Sequence, residues 1–229
     1  MDESCPFLNS ILREPISSNV SMKTFFLSLA LFVAGSLFAQ NKLQTLIDNT
    51  PDGGTVVIPA GKHVIDTPLN IEGRSGLTLK GEGNCKIYLT DLWKNVLIVT
   101  NSTSIKLEGL YLSHLKPLKE YQCNGGVVLL SNSQKLVVDN CELEGSGTIG
   151  IKGYQIKDLK VTHCYIHDNT FNAFYFHDAR EVLIHECRIE DNANMIQSYK
   201  LDGFEMSDNL IKNNGGYWRD KGNNPGLRK

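Results

Sequence analysis

Apolar residues in the second half of this chain come in short alternating bursts, and the bursts recur. Val128, Ile151, Phe174 and Ile196 form one series, and Leu136, Leu159, Val182 and Phe204 a second. Val138, Val161, Ile184 and Met206 stand two residues beyond the second, and Leu143, Ile166, Ile189 and Ile211 form the last. Successive members lie 22 or 23 residues apart. Period-two alternation predicts strands, and each burst is too short for a helix. Three bursts per period predict three short strands per turn. Between them stand Asn, Asp, Gly and Ser, which tolerate tight turns. One such unit cannot bury its own apolar side, so the units must stack. The predicted fold is all-β: a single-stranded parallel β-helix, a solenoid of about seven turns. A leucine-rich repeat shares the period, but its Leu-x-x-Leu-x-Leu-x-x-Asn signature and recurring helix are missing.

Cys141, Cys164 and Cys187 share one phase of the repeat. Each is then one rung of a stack, and rungs lie about 4.8 Å apart. Side chains in register on a parallel sheet point the same way, and three members cannot all pair. These three of the chain's six cysteines therefore read as buried filler, not as part of a disulfide framework; Cys85 and Cys123 carry no assignment. Upstream, the pattern resumes with Leu110 as anchor and with Leu97 and Val99 in its first strand. From Leu110 to Cys141 the spacing is 31 residues, which predicts an insert within Ser113–Gly126. Inserts of this kind often border a solenoid's binding face.

Lys42–Asp48 reads as a short amphipathic helix with Leu43, Leu46 and Ile47 on one side. Gly53-Gly54-Thr55-Val56-Val57-Ile58-Pro59-Ala60-Gly61 and Leu77-Thr78-Leu79-Lys80-Gly81-Glu82-Gly83 follow. Together these segments closely resemble the start of pectin-lyase-like proteins, and the resemblance runs over about residues 42–214. It implies a right-handed parallel β-helix whose N-terminal helix caps the core. The family holds pectate lyases, polygalacturonases, other glycan lyases, epimerases, adhesins and phage proteins, so the resemblance speaks for fold more than for activity.

The N-terminal region predicts export. Met22-Lys23 begins a basic start, Phe25 to Phe38 is an apolar run, and Leu37-Phe38-Ala39-Gln40 offers a cleavage site. This is the layout of a signal peptide. The run is shorter than the roughly 20 residues of a membrane span. The expected organisation is a non-native or unstructured extension over 1–21, a signal peptide over 22–39 and a β-helix domain over 40–229. The expected location is secreted or periplasmic, with no stable membrane span after cleavage. Net charge is −2 and no basic tract occurs, so nucleic acid is not an expected partner.

In the resembling enzymes the substrate lies along the outward face of the first strand of each turn. Outward positions here are Leu129, Lys152, Tyr175 and Gln197, then Ser131, Tyr154, His177 and Tyr199. Tyr154, Tyr175, Gln197 and Tyr199 are the candidate substrate contacts, since tyrosine offers an apolar face and a hydroxyl. His177 is the candidate proton acceptor. Lys152 or Arg180 would neutralise a uronate carboxylate. The expected partner is a polysaccharide, acidic if these cations are used. The activity would be a polyuronate lyase or a glycoside hydrolase; the alternatives are a non-catalytic glycan-binding β-helix and a fragment of a larger enzyme. Stacked aromatic rungs also stabilise sheets with no ligand. Asp168 and Asp191 share a phase, one residue before Asn169 and Asn192. They are candidate calcium ligands, with turn-making as the competing role. His163, His167, His185 and Glu186 form a further outward cluster without the spacing of an established metal site. Past Asn214, Tyr217 and Trp218 would cover the last rung, or that edge would meet another subunit.

Overall fold

The computed structural model describes residues 42–119, 122, 125–145, 148–215 and 219–220. The predicted extension and signal peptide, and Tyr217 and Trp218, lie outside the described residues. Helix α1 (Lys42–Asn49) comes first and buries Leu43 and Ile47, one helical turn apart. Leu46, expected on the same side, is 45% exposed. The helix meets the solenoid along an i, i+4 stripe, and Leu46 falls on its flank.

The rest is a parallel β-solenoid of about seven turns. First strands are β3 (Leu69–Glu72), β6 (Leu97–Thr100) and β9 (Val128–Ser131). Second strands are β1 (Thr55–Ile58), β4 (Thr78–Gly81), β7 (Thr103–Glu108) and β10 (Gln134–Asp139). Third strands are β2 (Gly61–Ile65), β5 (Cys85–Leu89), β8 (Tyr111–His114), β11 (Glu142–Glu144), β13 (Tyr165–His167), β15 (Arg188–Glu190) and β17 (Leu210–Lys212). In β12 (Ile149–Thr162), β14 (Asn172–His185) and β16 (Asn194–Ser207) the first and second strands are continuous. The short β18 (Arg219–Asp220) extends the first-strand ladder. The third strands form a separate seven-stranded sheet.

Fusion of first and second strands departs from the three separate strands expected. The corner is built alike in fused and separate turns: two residues three apart take left-handed backbone, as Asn101 and Ser104 do at the corner of β6 and β7 and Asn132 and Lys135 at that of β9 and β10. In the fused strands the ladder continues across it. There the pairs are Gln155 and Asp158 on β12, and Asp178 and Glu181 on β14. Each pair bends the chain while the ladder runs through. Polar residues tolerate this backbone better than branched ones, which is why the corners are polar.

The inward columns follow the repeat. Val128, Ile151, Phe174 and Ile196 are rung partners, as are Leu143, Ile166, Ile189 and Ile211; Ile211, on the outermost described rung of its sheet, is exposed. Cys85, Cys141, Cys164 and Cys187 are buried free thiols. Backbone N–H groups of Cys141 and Cys164 each approach the sulfur of the next cysteine at 3.4 Å. Asn209 ends this stack by accepting from the Cys187 N–H at 2.8 Å. At the next corner Asn169, Asn192 and Asn214 form a second, polar ladder. Asn169 Nδ2 donates to Asn192 Oδ1 and Asn192 Nδ2 to Asn214 Oδ1, both at 2.8 Å. The insert falls between β8 and β9, as the spacing requires.

Candidate functional site

The first-strand face presents two outward columns. Ile98, Leu129, Lys152, Tyr175 and Gln197 are successive rungs of one; Thr100, Ser131, Tyr154, His177 and Tyr199 of the other. Strand alternation puts the inward partners Ile151, Phe174 and Phe176 in the core, and that packing fixes the backbone under the outward rings.

The rings touch across rungs. His177 stacks on Tyr199 with centroids 5.0 Å apart and planes at 23°. Tyr154 lies 5.9 Å from His177 and 5.6 Å from Tyr175, both tilted. Lys152 Nζ stands 5.2 Å over the Tyr154 ring and 6.0 Å from that of Tyr175. Gln197 accepts from Asn172 Nδ2 at 3.4 Å. Tyr154, Tyr175, Gln197, Tyr199, Lys152 and His177 are thus one contiguous surface. Burial pushes the Tyr154 hydroxyl above its ordinary pKa, opposed by a hydrogen bond from Tyr175. Tyr175 is also raised by burial and by its neighbour Tyr154. Both phenols therefore hold their protons at neutral pH.

Arg180 does not join them. It stands past the left-handed residue Asp178, with Lys157 and Asp202 as rung partners. A different cation is there instead: Lys200 Nζ lies 5.7 Å from the Tyr199 ring. Simple alternation hides Lys200, because it follows the outward Tyr199 directly. Its left-handed backbone (φ 56°) turns the parity. The available signal was that its counterparts Gln155 and Asp178 are also polar.

Asp168 and Asp191 occupy left-handed corner positions, φ 56° and 55°. Asp168 Oδ2 is taken by His167 Nδ1 at 2.7 Å. Among the described residues, no group of three or more His, Cys, Asp or Glu side chains is placed to hold a metal ion. Both stand at turn positions.

The histidine cluster resolves into separate structural roles. His163 bridges two carboxylates, with Nδ1 2.8 Å from Asp139 Oδ1 and Nε2 2.8 Å from Glu186 Oε2. The Asp139 hydrogen bond raises the His163 pKa above its ordinary value, helped by Glu186 against desolvation. His167, expected outward and accessible, is only 7% exposed. It stacks on Tyr165 at 3.9 Å and meets Glu142 Oε1 at 3.2 Å. Beside it, Pro117, Leu118 and Lys119 of the insert face Glu144, Asp168 and Asp191 across a cavity of about 640 Å3. No helix among the described residues is long and apolar enough to cross a membrane.

Residues 69–224 match the family described as the right handed beta helix region. Among solved structures, an alginate lyase from Paenibacillus sp. str. FPU-7 shares 15% identity and a TM-score of 0.61, over 74% of this chain and 63% of the lyase. The ORF18 protein of Geobacillus virus E2 shares 17% identity and a TM-score of 0.60, over 73% of this chain and 37% of the phage protein. The chain therefore spans less than two thirds of either. At these identities the likeness is one of fold. A search of curated protein sequences finds no match.

Proposed function

Because this chain belongs to the right-handed β-helix family, we propose that it binds an acidic polysaccharide along its first-strand face and cleaves it by β-elimination. The observation that carries this reading is the single surface formed by Tyr154, Tyr175, His177 and Tyr199 with Lys152 against the rings. Tyrosine rings stack on the apolar faces of sugars while their hydroxyls hydrogen-bond. Lys152 neutralises the uronate carboxylate and the charge that builds beside it as the adjacent carbon is deprotonated. His177 accepts that proton, a double bond forms, and the glycosidic C–O bond breaks. A tyrosine phenol, Tyr154 or Tyr175, gives its proton to the departing oxygen. Both phenols are held protonated by burial.

Hydrolysis is less well supported. It needs two carboxylates about 5 to 10 Å apart across the bond. Asp178, beside His177 at the corner, is one; in the Thr100–Tyr199 column the nearest second carboxylate in register is Glu72. It stands four rungs from His177, roughly 19 Å at sheet spacing. Export completes the reading: residues 22–39 are removed as a signal peptide. N-terminal sequencing of protein recovered outside the cytoplasm checks that part.

The test is a screen of alginate, polygalacturonate and neutral polysaccharides, reading unsaturated product and new reducing ends separately. Unsaturated product from an acidic polysaccharide is expected. Its rate should fall by about 100-fold or more in His177→Ala. Binding without product would favour the non-catalytic reading. An unchanged rate in His177→Ala would sink the assignment of the base.

A further inference from the structure

Trp93 is the most exposed large hydrophobic side chain among the described residues, at 64%. It sits at the corner between β5 and β6, so the chain passes from it directly onto the first-strand face. The corner is rigidly held. Asp91 Oδ1 accepts from the Trp93 N–H at 2.9 Å, and Asp91 Oδ2 pairs with Lys94 Nζ at 3.1 Å. The Lys94 carbonyl is 2.8 Å from Nε2 of buried His114. The Leu92 carbonyl accepts from Gly125, and Asn95 Oδ1 from Gly126, both at 2.9 Å. Gly125 is required at that contact, because a Cβ there would lie 2.0 Å from the Lys94 carbonyl oxygen.

An indole left open to water on a corner fixed by this many bonds carries little ordering cost when it meets a partner. Its sequence neighbours Asp91 and Lys94 are charged and paired to one another. A lone flat ring with polar neighbours suits the face of a sugar. From the level of β6 to Tyr154 is two rungs and to Tyr199 four, roughly 10 and 19 Å. The half-buried outward side chains of Ile98 and Leu129 lie on the rungs between.

We infer that Trp93 is a distal sugar-binding platform: the polysaccharide runs from the Tyr154–His177–Tyr199 surface down the first-strand face and stacks on the indole. This rests on the proposed function and adds to it a preference for long chains. A disaccharide seated at His177 is too short to reach Trp93.

The chain has two tryptophans, Trp93 and Trp218, so Trp218→Phe leaves Trp93 as the sole indole. Emission from that variant is read while titrating alginate or polygalacturonate, whichever the full chain binds, and then its disaccharide. The polymer should shift the emission and the disaccharide should not. Trp93→Ala, checked for folding by circular dichroism, should weaken polymer binding by about 3- to 10-fold, the size of one aromatic contact. Disaccharide binding should be unchanged. Unmoved Trp93 emission at saturating polymer, with His177-dependent binding intact, would overturn the platform alone. Equal loss for polymer and disaccharide in Trp93→Ala would overturn it too. No binding of either polymer would overturn it together with the reading on which it rests.

Discussion

Asn192→Ala should be among the most destabilising single changes in this molecule, although it removes no apolar surface. Asn192 is 2% exposed. Its Oδ1 accepts from the Asn169 backbone N–H at 3.1 Å and from Asn169 Nδ2 at 2.8 Å. Its Nδ2 donates to the Ile166 and Glu190 carbonyls, at 3.0 and 2.9 Å, and to Asn214 Oδ1 at 2.8 Å. Truncation to alanine strands two donors of Asn169, itself fully buried. Each stranded buried group costs about 1–3 kcal/mol. The expected loss is therefore about 4 kcal/mol. Asn214 closes the ladder on the last full turn and is half-buried. Water can replace its bonds, so Asn214→Ala should cost about 1–2 kcal/mol. Urea unfolding followed by far-ultraviolet circular dichroism measures both, provided the slope is unchanged. A loss below about 1 kcal/mol for Asn192→Ala, or equal losses at the two positions, would refute the claim that buried rung-to-rung bonding holds this corner.

Other consequences can be checked directly. Burial pushes the Cys85 thiol up to about 11, and the four described cysteines are free and buried. Thiol reagent at neutral pH should leave them unmodified until the chain is unfolded, and reductant should leave the melting temperature of the β-helix unchanged. His163 has its pKa raised in the fold by Asp139 and Glu186. Its contribution is thus complete below its unfolded value of about 6.5 and is lost as pH rises through the folded value. Asp139 is raised by burial but brought below its ordinary range by the His163 and Thr162 hydrogen bonds, so it stays ionised through that window. Asn tolerates left-handed backbone, which His163 adopts at φ 53°. The melting temperature of His163→Asn should therefore lie below that of the native protein near pH 6 and converge with it at alkaline pH; a constant gap would exclude the linkage. Lys152→Ala should weaken binding of polygalacturonate by about tenfold, the scale of a charge-assisted contact, with little effect on its methyl-esterified form. Equal losses on both polymers would show that Lys152 acts through packing on Tyr154 alone.

How far these features could be read from the chain depended on how local their causes are. The ladder of Cys141, Cys164 and Cys187 and the Tyr154–His177–Tyr199 column were legible, because register in a parallel stack is a matter of counting residues. Arg180 lies past the left-handed residue Asp178, where counting along the strand from Tyr175 and His177 no longer fixes a side. One such residue overturns the alternation on which outward assignments rest. Leu46 was misread because a helix eight residues long buries only the stripe that meets the strands beneath it.

Sequence alone determined the repeat, the inward columns and the phase of Tyr154, Tyr175, His177 and Tyr199 on the first-strand face, but not that first and second strands fuse in three of the turns. These follow from a period that one turn cannot satisfy without a neighbour. Tertiary structure decided what each polar residue does once it has neighbours. It placed His167 under cover, set His163 between two carboxylates, put Asp168 and Asp191 in left-handed backbone at the corners, and left Trp93 open to water. Composition and spacing are shared by buried and exposed rungs alike. Only the packing of the insert and the bends of the corners separate a residue spent on the fold from one free to meet a ligand.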